Sequence, residues 1–558
     1  MRNILGIVLI SVMGLASCSV LDKEPLDQFT NDNFWSSSAN VEAYANVFYN
    51  QFAGYGNGTG TNGWFFFKCL SDDQAGREFQ DWDHKSLTTT NGNWSTPYVE
   101  IRRANVMIEK VTAMPESAIG DKDRNHWLGV AHMMRAWEHY QLVRMFGDVI
   151  WLDHVAETND PLLYAARTDR DIVMDSVLAD LNFAIANIAT EKNATAWSVA
   201  LAQAMKSEIC LYEGTFCKYR TETENGKAPN NERANKFLAE CVTASDAVMG
   251  MGFELNDNYK ANYNSIDLSG NKEMILYKHY VKDVFSHSTI DYTSTSTKQH
   301  GITKDAFDSF LKLDGTLPAA GEDHGVYNEE GHYIDITNLL SVRDQRLTAL
   351  VDPRLIYTDN AYDRYGQGNN ATSSSTGYGI WKYDNEELGA DYRQYGNKNY
   401  TDAPLFWLSV ILLNKAEATA ELGSCSDDIL NATVNKLRQR AGITKMITTA
   451  GNGVDATLIE AIRRERRCEL MCDNWNRYWD LIRWHQLDKL GYAANPNTAI
   501  GAYVADDPNL AQTLHKDANG YLEAAHGQIR EWNPKYYLYP IPSSQRDLNL
   551  QLGQNPGW

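Results

Sequence analysis

Three stretches of this chain end in the same way. Arg144-Met145-Phe146-Gly147, Leu211-Tyr212-Glu213-Gly214 and Glu421-Leu422-Gly423 each close a run of helical apolar spacing on a glycine, the residue best suited to the C′ position past a helix end. The runs before them are rich in small residues, with Ala200, Ala202 and Ala204 in one and Ala416, Ala418 and Ala420 in another. Small side chains let helix backbones approach closely, so such runs pair with one another. Repeated pairing predicts a mainly α fold, a tetratricopeptide-like helix-pair solenoid whose fixed period is broken by long insertions. The spacing predicts helices over 94–111, 124–146, 170–188, 196–217, 231–249, 404–422, 427–440, 455–472 and 476–489.

The insertions have a different character. Residues 53–93, 250–403 and 491–535 are rich in Gly, Ser, Thr, Asn and Tyr with only short apolar pieces, which predicts an irregular, loop-rich subdomain with little β structure. The helix-pair repeats fall at 94–249 and 404–489, within one body spanning 30–558. The Pro-punctuated end, from Tyr536 to Trp558, is expected to lie extended against that body.

Arg463 to Trp484 is the densest charged stretch. Ile459, Ile462 and Leu470 form an apolar stripe at helical spacing, and Arg466 and Glu469 fall on the same stripe, so both charges point inward. Burying either alone costs several kcal/mol, roughly, which makes each other, Asp473, Arg477 or Asp480 the expected partners. A catalytic acid/base pair of Glu465 and Glu469 is the competing reading. Arg464, Arg466 and Arg467 argue against it, because they hold both carboxylates ionised.

The formal net charge is −21, with 51 Lys and Arg against 72 Asp and Glu, which excludes nucleic acid and other polyanions as natural partners. The 15 Trp and 30 Tyr supply more flat amphipathic surface than a core of this size requires. At the N-terminus, Arg2, the apolar run Ile4–Leu15 and Leu15-Ala16-Ser17-Cys18 read as a signal peptide over 1–17, too short to span a bilayer. The last four residues resemble a bacterial lipobox, in which Cys18 becomes the lipidated first residue, followed by a tether over 18–29. Ordinary cleavage leaving a free cysteine is the alternative. Of 8 cysteines, Cys468 and Cys472 stand one helical turn apart, and neither they nor Cys210 and Cys217 have zinc-site spacing, so they read as small buried hydrophobes. No nucleophile-elbow, P-loop, metalloprotease or calcium-loop pattern is present, and no cofactor or metal is implied.

Taken in order, these pieces resemble the SusD/RagB family of outer-membrane nutrient-binding lipoproteins of the Bacteroidetes. The resemblance rests on Phe34-Trp35, on Arg135-Ala136 with Leu142 to Val149, and on Phe307 to Gly315. It continues through Gly377-Tyr378, Lys382-Tyr383, Leu412 to Ala418 and Leu437 to Gly442, and then through the Arg463–Trp484 stretch, Pro540-Ile541-Pro542 and Gln554 to Trp558. Asp473-Asn474-Trp475-Asn476 departs from the family pattern by one extra residue. The resemblance implies a non-enzymatic protein, lipid-anchored in the outer membrane and facing the exterior. It would capture a glycan, or alternatively a peptide, and pass it to a SusC-like TonB-dependent transporter.

A neutral glycan has apolar ring faces and a hydroxyl rim, so its site calls for aromatic platforms beside Asp, Asn, Gln or Arg. Two loop regions offer this. Trp64, Arg77 and Trp82 stand near Asp72 and Asp73, and Phe285, Tyr292, Tyr327 and Tyr333 stand near His287, Gln299 and Asn328. From these the expected ligand-binding residues are Trp64, Asp72, Asp73, Arg77, Trp82, Tyr292 and Tyr327, with Tyr378, Tyr383 and Trp94 assigned to packing. A helical glycoside hydrolase is the less favoured alternative; its carboxylate pair would be Asp72 and Asp73.

Overall fold

The computed structural model describes residues 34–57, 63, 70–76, 79–294, 300–357, 373–449, 454–473, 476–510 and 512–558, apart from the side chains of Tyr292, Ser294 and Gln394. Cys18, Trp64 and Arg77 lie outside the described residues.

Helices dominate. After α1 (Ser38–Ala45), a continuous set follows: α2 (Gly92–Ala113), α3 (Asp121–Phe146), α4 (Arg170–Asn187), α5 (Val199–Tyr219) and α6 (Asn231–Gly250). Side-chain oxygens of Asn91, Asp169, Ser198 and Asn230 cap four of them, each accepting from a backbone N–H in the first turn. Each helix packs on the next, and the chain then returns with α7 (Leu408–Glu421), which packs on α6, and with α8 (Asp427–Ala432), α9 (Val434–Arg440), α10 (Leu458–Glu469) and α11 (Asn476–Arg483). This is the helix-pair solenoid that the small-residue runs predict.

Two of the three glycine endings behave as expected. Gly147 at φ 71° and Gly423 at φ 71° adopt the backbone conformation that favours glycine. Gly214 does not end a helix: α5 runs through it to Tyr219, and a Cβ there would come within 2.7 Å of Leu238 Cγ on α6. Its glycine serves close helix approach. Three other boundaries move. Residues 403–407 form a strand before α7, the 427–440 helix breaks at Thr433, and α10 stops at Glu469, so Cys468 and Cys472 do not share a helix. Cys472 instead takes φ 66°, and its carbonyl accepts a 2.7 Å bond from Tyr383 Oη.

The described strands are short and antiparallel. β1 (Gln74–Ala75) pairs with β3 (Gly301–Ile302), and β2 (Met274–Lys278) with β7 (Ala403–Trp407). β4 (Val326–Asn328), β5 (Tyr333–Asp335) and β6 (Arg354–Leu355) form a three-stranded sheet, and β8 (Ile500–Tyr503) pairs with β9 (Tyr521–Glu523). All but β7, which leads directly into α7, belong to the loop-rich insertions. The tail returns to the first helices: Tyr539 N donates to Met145 O at 2.8 Å, Asn555 Nδ2 donates to Phe146 O at 3.0 Å, and Arg167 Nη1 donates to Asn555 Oδ1 at 2.7 Å. The expectation of an extended tail holds only in part, since helical turns at Pro534–Tyr537, Ser543–Leu548 and Leu550–Leu552 interrupt it.

The charged stretch on α10 and α11 is largely buried and densely paired. Arg466 binds Asp480 at 2.9 Å, as expected, and Asn414 on α7 at 2.8 Å. Glu469 does not pair with Arg466; it is held by Arg346 at 2.9 Å and by Arg440 of α9. Arg346 also meets Glu465 at 2.7 Å, Arg438 holds Glu465 at 2.9 Å, and Arg483 reaches Glu417 on α7 at 2.6 Å. Burial opposes ionisation of Glu469, yet Arg440 and Arg346 hold its pKa below the ordinary value. Glu469 therefore has the environment of a structural anion, and Glu465 is enclosed between the Arg346 and Arg438 guanidinium groups.

Candidate functional site

The first predicted loop is part of the body. Asp72 is 1% exposed and accepts two 2.7 Å bonds from Arg477; Asp73 is 2% exposed and accepts a 2.8 Å bond from Arg467, which also binds Asp305 at 2.6 Å. Burial opposes ionisation of Asp72, but Arg467 and Arg477 hold its carboxyl well below the usual range, while burial leaves that of Asp73 raised. Trp82 is 3% exposed, stacked on Tyr536 at 4.6 Å, and its Nε1 donates to Glu531 O at 2.6 Å. All three correct the ligand-contact expectation, because their polar atoms and ring faces are used inside the fold. Among the described residues both carboxylates are enclosed by arginines, where a hydrolase pair would face substrate. Trp94, Tyr378 and Tyr383 are buried, consistent with packing.

The second predicted loop region is more open. Phe285 stacks on buried Tyr280 at 5.1 Å, and His287 is fully buried, so neither presents a free platform. Tyr292 sits on the short helix Thr289–Ser294. Tyr327 and Tyr333, on paired strands β4 and β5, are half-buried, and Asn509 Nδ2 from the β8–β9 connection donates to Tyr327 Oη.

The β8–β9 hairpin and the segment before β4 add an aromatic group that the sequence reading did not single out. Tyr503 and Tyr521 are register partners, with ring centroids 5.5 Å apart, and His324 stacks on Tyr503 at 3.5 Å and 9°. Gly520, at φ 93°, closes the hairpin so tightly that a Cβ there would lie 2.9 Å from the Tyr503 ring. Tyr521 Oη donates to Asp323 at 2.9 Å, Asp323 binds Lys304 at 2.7 Å, and the Lys304 ammonium lies 4.7 Å from the Tyr521 ring centroid. Burial and the Asp323 bond push the Tyr521 phenol up to about 12, so it stays a neutral donor at neutral pH. The result is a half-buried aromatic patch of His324, Tyr327, Tyr503 and Tyr521, edged by amide, carboxylate and phenol groups. The Asp517-Ala518-Asn519-Gly520 turn marks a hairpin in the sequence, but that hairpin pairs Lys516 with Leu522; Tyr503 meets Tyr521 across the connection 504–520, which carries no comparable local signal.

Two concavities accompany it. One, of about 320 Å³, lies across β9 and is walled by Ser375, His515, Glu523 and His526. The other, of about 480 Å³, lies on the helical body between α2, residues 150–164 and the tail, lined by Trp94, Tyr98, Ile150, Leu152, Leu548 and Leu552. This larger cleft is predominantly apolar, and its polar groups already serve the backbone: Tyr98 Oη donates to Ile150 O at 3.2 Å and Asn105 Nδ2 to Leu152 O at 3.0 Å. A polyhydroxyl ligand would find few partners there.

One grouping among the described residues, Asp171, Glu213 and Cys217, has metal-binding spacing. Arg170 and Arg220 pair with these carboxylates at 2.6 and 2.7 Å, and burial raises the Cys217 thiol pKa, so the cluster is neutralised by guanidinium groups.

A profile of the SusD family matches residues 246–558, and a second profile, described as starch-binding associating with outer membrane, matches residues 19–209. The first covers more than half of the sequence, and the chain belongs to the SusD family. A SusD-like protein of Bacteroides ovatus is 22% identical over 279 residues, 47% of this chain and 46% of that protein, so the chain spans about half the length of that relative. SusD-like protein P38 of Formosa agariphila is 22% identical over 516 residues, 86% of this chain and 91% of that protein. Among solved structures, a SusD-like carbohydrate binding protein from Bacteroides fragilis superposes with a TM-score of 0.69 at 19% identity, covering 93% of this chain and all of that one. A laminarin binding SusD-like protein superposes with a TM-score of 0.55 at 18% identity, covering 94% of this chain and all of that one. At these identities the structural likeness speaks for the fold.

Proposed function

We propose that this protein is a non-catalytic, outer-membrane glycan-binding lipoprotein, anchored through Cys18 and facing the cell exterior, that captures a neutral oligosaccharide and delivers it to a SusC-like TonB-dependent transporter. The observation that carries the binding half is the aromatic patch of His324, Tyr327, Tyr503 and Tyr521: half-buried rings offer faces to sugar C–H surfaces, and the exposed Asn509 amide stands at their edge. Family membership, with the carbohydrate-binding and laminarin-binding proteins of similar structure, supports carbohydrate as the ligand class. The acidic balance of the chain, −21, supports an uncharged glycan over a sulfated or uronate-rich one. Tyr292, Trp64 and Arg77 remain proposed contributors.

Calorimetry of the full chain against starch-derived and laminarin-derived oligosaccharides tests this reading. Binding that weakens in Tyr503→Ala with unchanged melting temperature supports it. Absence of binding to every glycan in a broad polysaccharide panel, with binding to peptides instead, overturns the substrate. Co-purification from membranes tests delivery: recovery without any barrel transporter overturns that half.

A further inference from the structure

β9 carries Tyr521 and Glu523 on one face, with Leu522 between them turned into the core. The aromatic patch and the polar concavity of about 320 Å³ are therefore neighbours on one surface, roughly 7 Å apart along the strand. The two differ in chemistry. The patch offers ring faces; the concavity offers hydrogen-bonding edges. His515 and His526 form one wall, their rings stacked at 3.8 Å and 8°, and His526 Nδ1 is hydrogen-bonded to Glu523 Oε2. That wall is fixed by the hairpin itself, since Glu523 N donates to His515 O at 3.0 Å.

Ser375 contributes from a different element. It sits beside β8 because Ala502 N donates to Thr376 O at 2.7 Å, and its hydroxyl oxygen is buried with no hydrogen-bond partner. A buried unpaired hydroxyl on a cavity wall costs free energy unless something in the cavity completes it. A carboxylate, an imidazole and an orphaned hydroxyl converging on a polar concavity match the hydroxyl rim of a sugar. They lack the flat apolar face that stacking needs.

We propose that this concavity is a second subsite for the same glycan, taking a sugar unit beyond those held on the tyrosines and reading its hydroxyls through Glu523, His526 and Ser375. The inference rests on the glycan-binding reading and adds to it a minimum length of ligand: an oligosaccharide must be long enough to cross β9 before the subsite contributes.

The test is calorimetry of the full chain with maltooligosaccharides and laminarioligosaccharides from disaccharide to heptasaccharide. Affinity is expected to rise with length in the series that binds. Glu523→Gln and Ser375→Val, on separate elements, are expected to lose about tenfold in affinity for the longest member while leaving the disaccharide within about twofold. Tyr503→Ala is expected to weaken every length. Melting temperatures of all three confirm that the fold is kept. If both subsite variants weaken all lengths equally, or none, while the wild type still binds, the subsite is overturned and the glycan reading stands. If the wild type binds no member of either series and no glycan in the wider panel, the glycan reading falls and the subsite with it.

Discussion

The lattice on α10 and α11 and the patch on the paired strands β8 and β9 both gather polar side chains, and to opposite ends. In the lattice, Glu469 and Arg346 are 0% and 1% exposed, and each meets partners from other elements. At the patch, Tyr503, Tyr521 and His324 are half-buried, and only part of each ring's surface is consumed by its neighbours. A saturated group contributes stability and has nothing left to offer a ligand. A partly used one contributes less to the fold and keeps a face for recognition.

Four outcomes would break or sharpen that contrast. The largest effect is expected from Glu469→Ala, which leaves Arg346 and Arg440 short of a buried anion: a loss of about 3–5 kcal/mol in denaturant unfolding, with glycan affinity of the folded protein unchanged. Lost affinity at unchanged stability would place the site at the lattice instead.

Acid should act on the packed regions next. Burial lowers the pKa of His84 to about 4 from an ordinary value near 6.5, so between those values the unfolded chain takes up a proton that the folded one refuses. Stability is full above pH 6.5 and falls as pH drops toward 4, by up to about 3 kcal/mol for this group. Unfolding curves across that window should flatten in His84→Gln relative to the wild type.

Gly214→Ala, which pushes a methyl against Leu238, should cost about 1–3 kcal/mol by overpacking α5 against α6, read as a lower melting temperature. The smallest stability effect belongs to Tyr503→Ala. It should cost about tenfold in glycan affinity, or about 1.4 kcal/mol, with little change in melting temperature. A large fall in melting temperature there would show that the patch is core and not platform.

The helical body was legible because its signals are local. A stripe at 3.6-residue spacing, a small-residue run and a glycine stop are read within one segment, and α2 to α6 fall within a few residues of their expected bounds. Gly214 shows the limit: a helix-stop glycine and a helix-contact glycine are identical in sequence, and only the 2.7 Å approach to Leu238 separates them. The loop-rich face was less legible because exposure is decided by distant partners. Asp72 is claimed by Arg477 across 405 residues and Trp82 by the Glu531 carbonyl across 449, so two residues with the right chemistry for a sugar are spent inside. Tyr327 keeps part of its ring outside, and Tyr503 meets Tyr521 across the connection 504–520, a pairing that the local turn at Asp517–Gly520 does not announce because it joins Lys516 to Leu522.

The lacing of the tail into the first helices also sets a clock. Asn555 closes on the Phe146 carbonyl 409 residues back along the chain. A polypeptide emerging at about 5–20 residues per second delivers that partner tens of seconds after α3 has been made. Through that interval the end of α3 lacks the bonds from Tyr539 and Asn555, and the Phe146 carbonyl has only Arg167 Nη1 at 3.4 Å. The oldest helices in each newly made molecule are thus among the last to be finished, and whatever keeps the nascent chain from aggregating has to act first on its N-terminal third.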